Sequence, residues 1–206
     1  MKNIFPKELY TNKPIIFVIS GPSGIGKDSV LKELQRLKTP FRFVITAASR
    51  KPREGEVHGV DYFFVTKNKF EEMIANNELI EFAIVYDEYK GVPRWQVDEA
   101  LQSGEDIILR LDVQGAAKIK ELYPDAKLIF LIPENQEEWY QRLINRKSET
   151  PEKLQIRIST ALNEINRINE FDYVVINAKN KLSEAADAII AIIKAEHRKV
   201  IKKKQQ

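Results

Sequence analysis

Three glycines and a lysine carry the first chemistry legible in this chain. Gly21-Pro22-Ser23-Gly24-Ile25-Gly26-Lys27 follows a short apolar run, Ile15 to Ser20, and precedes a helical pattern opening at Asp28-Ser29-Val30-Leu31. Strand, tight loop and helix start, in that order, are the context of a phosphate-binding loop, and the spacing fits G-x-x-x-x-G-K. The glycines let the backbone turn sharply and bring successive N–H groups onto an anion. The helix behind adds its unpaired N–H groups and the positive end of its dipole. Lys27 brings a point charge for outer phosphates. The next position, usually a hydroxyl residue, is Asp28; Ser29 is turned about 100° further around the helix. A nucleotide is the first ligand expected.

A second set of residues lies between 46 and 112. Arg50 and Arg53 stand three apart on an extended stretch, with Tyr62, Glu81 and Lys90 following. Guanidinium groups bind phosphate bidentately and keep their charge, so the pair can clamp a phosphate. Ionised carboxylates such as Glu81 and Asp112 accept hydrogen bonds and donate none, which suits the N–H edge of a purine; guanine offers adjacent N1–H and N2–H donors. Arg142, Arg146 and Arg157 form a third group, the first two four apart on one helix face. Taken without context they also fit a salt-bridged amphipathic helix beside Glu137, Glu138 and Glu149.

These side chains need a scaffold, and the hydrophobic pattern supplies one. Strands are expected at 15–20, 41–47, 62–65, 79–85, 106–111, 127–132 and 172–176. The strand at 127–132 is the most apolar and reads as central. Helices are expected at 27–38, 67–76, 94–102, 113–123, 135–146, 151–169 and 182–203, with Thr39-Pro40 ending the first and Pro93 in the first turn of the third. Residues 86–92 read as a turn and 1–13 as a loose extension. The alternation implies an α/β fold: a mostly parallel five-stranded sheet in three layers with right-handed crossovers. The mixed, strand-rich stretch 42–92 reads as an inserted lobe near the C-terminal strand ends.

Composition narrows the classes. The chain's 206 residues, 43% hydrophobic and 31% charged, suit a single domain with a full core. A net charge of +3 is too small to argue for nucleic acid, and much of it sits in the tail at Arg198, Lys199, Lys202, Lys203 and Lys204. With no cysteine, disulfides and thiolate chemistry are excluded, and two histidines are too few for a histidine metal centre. No run approaches a membrane span and no apolar signal core opens the chain, so a cytosolic protein is the simplest expectation, with an organellar address open for a mature fragment.

Taken together, the motifs resemble guanylate kinase, and more closely its plant-organelle and bacterial Gly-Lys-Asp branch. The resemblance rests on Gly21 to Lys27, Ser49 to Val65, Asn76 to Glu81, Leu111 to Gly115 and Arg142 to Arg157, in the family's order and spacing from about residue 14 to 197. It implies the P-loop NTPase fold as one domain over 1–206: a core at about 14–41, 93–134 and 170–206, a GMP-binding lobe at 42–92 and a helical lid at 135–169. It implies ATP-dependent phosphorylation of GMP to GDP with Mg²⁺, in a monomer or homodimer without nucleic-acid or membrane partners. The ATP side would comprise Gly21, Pro22, Ser23, Gly24, Ile25, Gly26, Lys27, Asp28 and Ser29, with Asn177 at the adenine. Arg50, Arg53 and Tyr62 would hold the GMP phosphate, with Glu56 and Lys90 in the same site. Thr46, Glu81 and Asp112 would address guanine. Lys27, Arg53 and the lid arginines Arg142, Arg146 and Arg157 would act on the transferring phosphoryl group.

Three departures from the family pattern stand out. Asp28 replaces a hydroxyl, and with Asp112 becomes the expected metal ligand. Lys90 and Val92 replace a tyrosine and a hydroxyl residue, so Lys90 is expected to add charge at the GMP phosphate while a guanine contact is lost. Arg110 stands where an acidic residue is common. Two other classes compete: a non-catalytic guanylate-kinase-like binding module and a kinase for a ribose bisphosphate. Lys27, Arg146, Arg157 and Asp112 argue against the first; Arg53, Tyr62 and Glu81 argue against the second.

Overall fold

The computed structural model describes residues 13–85, 88–144 and 151–200. Most of the expected N-terminal extension, Arg146 and the lysines at 202–204 lie outside them. Two sheets organise the fold. The larger contains β2 (Phe41–Phe43), β7 (Asp106–Arg110), β1 (Ile16–Ser20), β8 (Lys127–Ile132) and β9 (Tyr173–Ile176), in that spatial order and parallel throughout.

β1 is buried along its whole length, which explains its unbroken apolar run. Alternate side chains serve opposite layers. Ile16 and Val18 face α3 (Arg94–Ser103) and α4 (Val113–Leu122), packing with Val97, Ala100, Ala116 and Ile119. Phe17 and Ile19 face α1 (Lys27–Arg36) and α7 (Leu182–Glu196), packing with Val30, Leu34, Ala186 and Ile189. Each such fully buried side chain of the size of Val, Leu, Ile or Phe contributes about 1.5–3 kcal/mol. β1 rather than β8 is the middle strand; β8 is as apolar because it too is covered on both faces.

The smaller sheet has the order β4 (Phe63–Phe64), β3 (Ala47–Ala48), β6 (Glu88–Pro93), β5 (Leu79–Val85) and is mixed, with β3 parallel to β4 and antiparallel to β6. With α2 (Lys67–Ala75) it closes a separate small core of Ala47, Phe70, Met73 and Leu79. Two expectations change here. The strand expected at 41–47 is divided between the two sheets, so the chain passes from core to lobe at Val44–Thr46. The turn expected at 86–92 is in its described part the strand β6, which pairs with β5 over most of its length.

α5 (Gln136–Ile144) and α6 (Pro151–Ile165) form a helical pair through Trp139, Leu143 and Ala161. A short 3-10 turn at Ile168–Glu170 leads into β9. Among the described residues no helix is long and apolar enough to cross a membrane.

Candidate active site

β1 ends at Ser20, and the chain turns through Gly21–Gly26 into α1. Gly26 is the N-cap of α1 at φ +94°, and a Cβ there would lie 2.8 Å from Nδ2 of Asn177. Only glycine fits both the left-handed backbone and the close approach. No side chain caps α1, whereas α4 is capped by Asp112, whose carboxylate accepts the N–H groups of Gln114 at 3.0 Å and Gly115 at 2.9 Å. The first amides of α1 therefore keep an anion-binding role at the end of the sheet's middle strand.

The ammonium of Lys27 folds back to donate to the carbonyl of Gly21 at 2.5 Å and of Pro22 at 3.4 Å. Burial pushes its pKa below the usual lysine value, opposed by the charges of Glu164, Asp28 and Asp112. A phosphate reaching the loop supplies the counter-charge that this buried ammonium needs.

The loop is held from outside by the helical pair. Trp139 Nε1 donates to the carbonyl of Ser23 at 3.0 Å. Arg142 donates to the carbonyls of Ile25 at 3.0 Å and Asn177 at 2.8 Å and pairs with Glu138. Asn177 Nδ2 donates to the same Ile25 carbonyl at 2.7 Å. Arg142 and Asn177 thus grip the back of the loop and do not line the cleft in front of it.

That cleft, about 700 Å³, is walled by residues 23–29 on one side and the lobe on the other. Thr46, Arg53, Tyr62, Glu81 and Lys90 come from the lobe, Arg110 to Asp112 from the end of β7, and Arg157 and Glu164 from α6. Adjacent parallel strands explain the convergence: β7 pairs with β1, with Arg110 opposite Ile19, so the two loops leave the same sheet edge side by side. Glu81 is 8% exposed, and burial, with the charge of Asp112 second, pushes its pKa up to about 8. Burial also pushes Lys90 down and Tyr62 up.

Arg50 and Glu56 stand apart from the cleft lining. Arg50 makes a bidentate pair with Glu56 at 2.6 and 2.7 Å, with Glu88 3.7 Å away. Glu56 also accepts the backbone N–H of Arg53 at 2.8 Å, and the Arg50 guanidinium holds its pKa down at about 2. Glu56 shapes the arginine loop, and the Arg50 guanidinium lies 4.9 Å from the Tyr62 ring centroid. Gly21 and Pro22 contribute carbonyls to Lys27. Arg146 is outside the described residues. Trp139 and Glu164 join the loop across more than a hundred residues, and no local motif in the sequence marks either one.

Among the described residues no cluster of three or more His, Asp or Glu forms a ready-made metal cage. Asp28 and Asp112 both line the cleft. One oxygen of Asp28 pairs with Arg110 and one of Asp112 caps α4, which leaves each carboxylate a second oxygen. Two carboxylate oxygens beside a phosphate loop suit Mg²⁺, which is bound through one or two carboxylates plus substrate phosphates and water.

A lysine-bearing glycine loop after the middle strand of a parallel sheet, facing a phosphate-ready lobe across one cleft, is the arrangement of a small phosphate-loop kinase. The family model for guanylate kinase matches residues 12–196, and the chain belongs to that family. It is 48% identical over 192 residues to "Guanylate kinase 2, chloroplastic/mitochondrial" of Oryza sativa subsp. japonica, covering 93% of this chain and 67% of the relative. A guanylate kinase of Clostridioides difficile is 41% identical over 192 residues, covering 93% of each. Among solved structures, the guanylate kinase from Anaplasma phagocytophilum superposes with a TM-score of 0.72 at 28% identity, over 93% of this chain and 90% of that one.

Proposed function

We infer that this chain transfers the γ-phosphoryl group of ATP to the phosphate of GMP, giving ADP and GDP. The observation that carries the reading is the convergence of Lys27 and its loop with Arg53, Tyr62 and the Glu81–Asp112 carboxylates on one cleft. Loop residues 21–29 take the ATP phosphates; Arg53 and Tyr62 take the acceptor phosphate, with Arg50 and Glu56 fixing their loop. Glu81, with Thr46 and Asp112, reads guanine, because an ionised carboxylate accepts both N1–H and N2–H. Lys90 adds positive charge on the acceptor side.

Phosphoryl transfer asks for alignment and positive charge on the equatorial oxygens more than for covalent chemistry. The acceptor phosphate is itself the nucleophile, so no general base is required. Lys27, Arg53 and Arg157 supply fixed cations, with Arg146 joining them from the lid. Arg142 and Asn177 serve through the loop they grip. Mg²⁺, held by Asp28 and Asp112, would neutralise charge on the donor phosphates. The lobe and lid, about 42–92 and 135–169, close over the core to exclude water, which would otherwise divert the γ-phosphoryl group. The protein works in solution in the cytosol, or in an organelle for a mature fragment, as a monomer or homodimer.

A coupled assay of ADP release with GMP, AMP, UMP and ribose 1,5-bisphosphate in parallel tests the reading. Turnover with GMP alone is expected. Turnover with the ribose bisphosphate, or none with any acceptor, would replace it with one of the two competing classes.

A further inference from the structure

Two departures that look unrelated in the sequence meet in space. Arg110, at the end of β7, forms an ion pair with Asp28 in the first turn of α1, 82 residues away in sequence. The same guanidinium donates to the backbone carbonyl of Asp61 at 3.2 Å and lies 4.4 Å from the centroid of the Tyr62 ring. One planar cation therefore touches the phosphate-loop helix, the core sheet and the acceptor lobe.

We propose that Arg110 is a positioning residue that couples the donor side of the cleft to the acceptor side by fixing Tyr62 against Asp28. The inference rests on the assignment of Tyr62 to the GMP phosphate made above.

The chemistry of the site supports this role. Backbone pairing of Arg110 with Ile19 anchors it to the most buried strand of the protein, so its guanidinium hangs from a rigid support. Its side chain is 12% exposed whereas the Asp28 carboxylate is 56% exposed, so the guanidinium is held in a largely buried position and the ion pair meets solvent mainly on its Asp28 side. The guanidinium is planar with donors in a fixed fork, so it can serve Asp28 and the Asp61 carbonyl in its plane while presenting a face to Tyr62. Lysine, with a single ammonium, lacks that geometry. A further tie between α1 and the same lobe residue, Lys32 to Asp61 at 3.4 Å, is a single ammonium contact on a 65% exposed side chain and lacks the fork and face of a guanidinium. Asp61 in turn accepts the N–H of Val57 at 2.9 Å, so the contact extends into the arginine-bearing loop.

Asp28 thereby acquires a function toward the acceptor. Its carboxylate holds one edge of Arg110, and the hold passes through the guanidinium to the phenol that meets the GMP phosphate. A substitution on the donor side should weaken binding on the acceptor side.

The test is a set of steady-state measurements on Arg110→Gln, Arg110→Lys and Asp28→Asn, each made alone and together with Tyr62→Phe, with KM for GMP and for ATP read separately. Arg110→Gln should raise KM for GMP about tenfold, the loss of one ionic hydrogen bond and one cation–π contact. Asp28→Asn should raise KM for GMP about threefold, beyond whatever it does to ATP. Arg110→Lys should fall between the unsubstituted enzyme and Arg110→Gln. In combination with Tyr62→Phe, each effect on GMP should shrink to less than about twofold. Unchanged KM for GMP in Arg110→Gln, an equal rise with and without Tyr62→Phe, or a parallel loss for both substrates would each overturn the proposal. Failure of the underlying functional reading would show as a different acceptor in the unsubstituted enzyme, before any variant is compared.

Discussion

The carboxylate of Glu164, on α6, accepts the backbone N–H of Ser23 in the phosphate loop at 2.9 Å. From α5, the indole of Trp139 donates to the carbonyl of the same residue at 3.0 Å. Both backbone polar groups of one loop residue are therefore held by the helical pair. A ligand that shifts the loop must shift the helices, and helices that close must press on the loop.

Trp139 should report that coupling. Its indole N–H bonds to the loop, whereas Trp95, the other tryptophan, is 56% exposed on the lobe side of α3. In a Trp95→Phe variant, ATP should shift and change the intensity of the remaining emission, because its hydrogen-bond partner moves. GMP alone should leave it nearly unaltered. An emission spectrum indifferent to ATP would contradict the coupling of α5 to the loop.

The two substrates should show opposite pH limbs. Burial and then the charge of Asp112 push the Glu81 pKa up to about 8, whereas the role proposed for it, accepting the N–H groups of guanine, requires the carboxylate. Binding GMP must release a proton below that pH, so kcat/KM for GMP should rise with pH, approaching tenfold per unit, and level off above about 8. Lys27 behaves the other way. Burial lowers its pKa, so its positive charge, and with it kcat/KM for ATP, should be lost on the alkaline side. Glu81→Gln should flatten the acid limb for GMP and leave the alkaline limb for ATP. Lys27→Met should cut kcat by roughly 10²–10³-fold near neutral pH, the scale of losing one positioned electrostatic donor, and the deficit should shrink on the alkaline side where Lys27 itself loses its charge.

Glu81 also links stability to pH. Its folded pKa of about 8 lies above the ordinary 4.5, so the folded protein binds the extra proton between those values. Stability from this group is full below about 4.5 and is lost as pH rises through about 8. Removing the charge by Glu81→Gln should raise Tm at pH 8 by a few degrees, on the scale of about 1 kcal/mol giving ~2–4 °C in a domain of this size. At pH 5 the gain should vanish. Thermal melts at the two pH values check the sign.

Much of this was legible in the residues, but only where the determinant is local. β1 is a run of apolar residues because both of its faces are covered, and the 3/4 spacing of Val30, Leu31 and Leu34 marks α1. The glycine loop carries its own spacing. Apolar content could not say which strand is the middle one, because β1, β7 and β8 are all interior strands with buried centres. The strand Glu88–Pro93 was hidden by Gly91 and Pro93, poor strand formers whose placement is decided by the pairing with β5. The division of 41–47 between two sheets has no periodic signature, since the chain stays extended throughout. Arg110 with Asp28, and Glu164 with Ser23, join residues 82 and 141 positions apart. Their partners are set by topology, which no local pattern records.

Gly115 offers the sharpest separation of recognition from stability. It lies in the first turn of α4, where a Cβ would come 3.1 Å from Oε2 of Glu81 and 3.2 Å from its Cδ. That is tighter than an ordinary van der Waals contact; Cβ of Leu111 is also 3.2 Å away, and being close to the backbone it can give less than the Glu81 carboxylate, the group assigned above to guanine. Gly115→Ala gains about 1 kcal/mol of helix propensity. Displacing a buried side chain by a few tenths of an ångström costs a similar amount. The two terms nearly cancel, so Tm should move by no more than about 3 °C. Guanine binding would have no such compensation, because both hydrogen bonds proposed for Glu81 depend on its position. The Kd for GMP by titration calorimetry should rise at least about tenfold, while ATP affinity stays within about twofold. A variant with native GMP affinity would show that Glu81 has slack against α4, and that recognition of the base rests on Thr46 and Asp112.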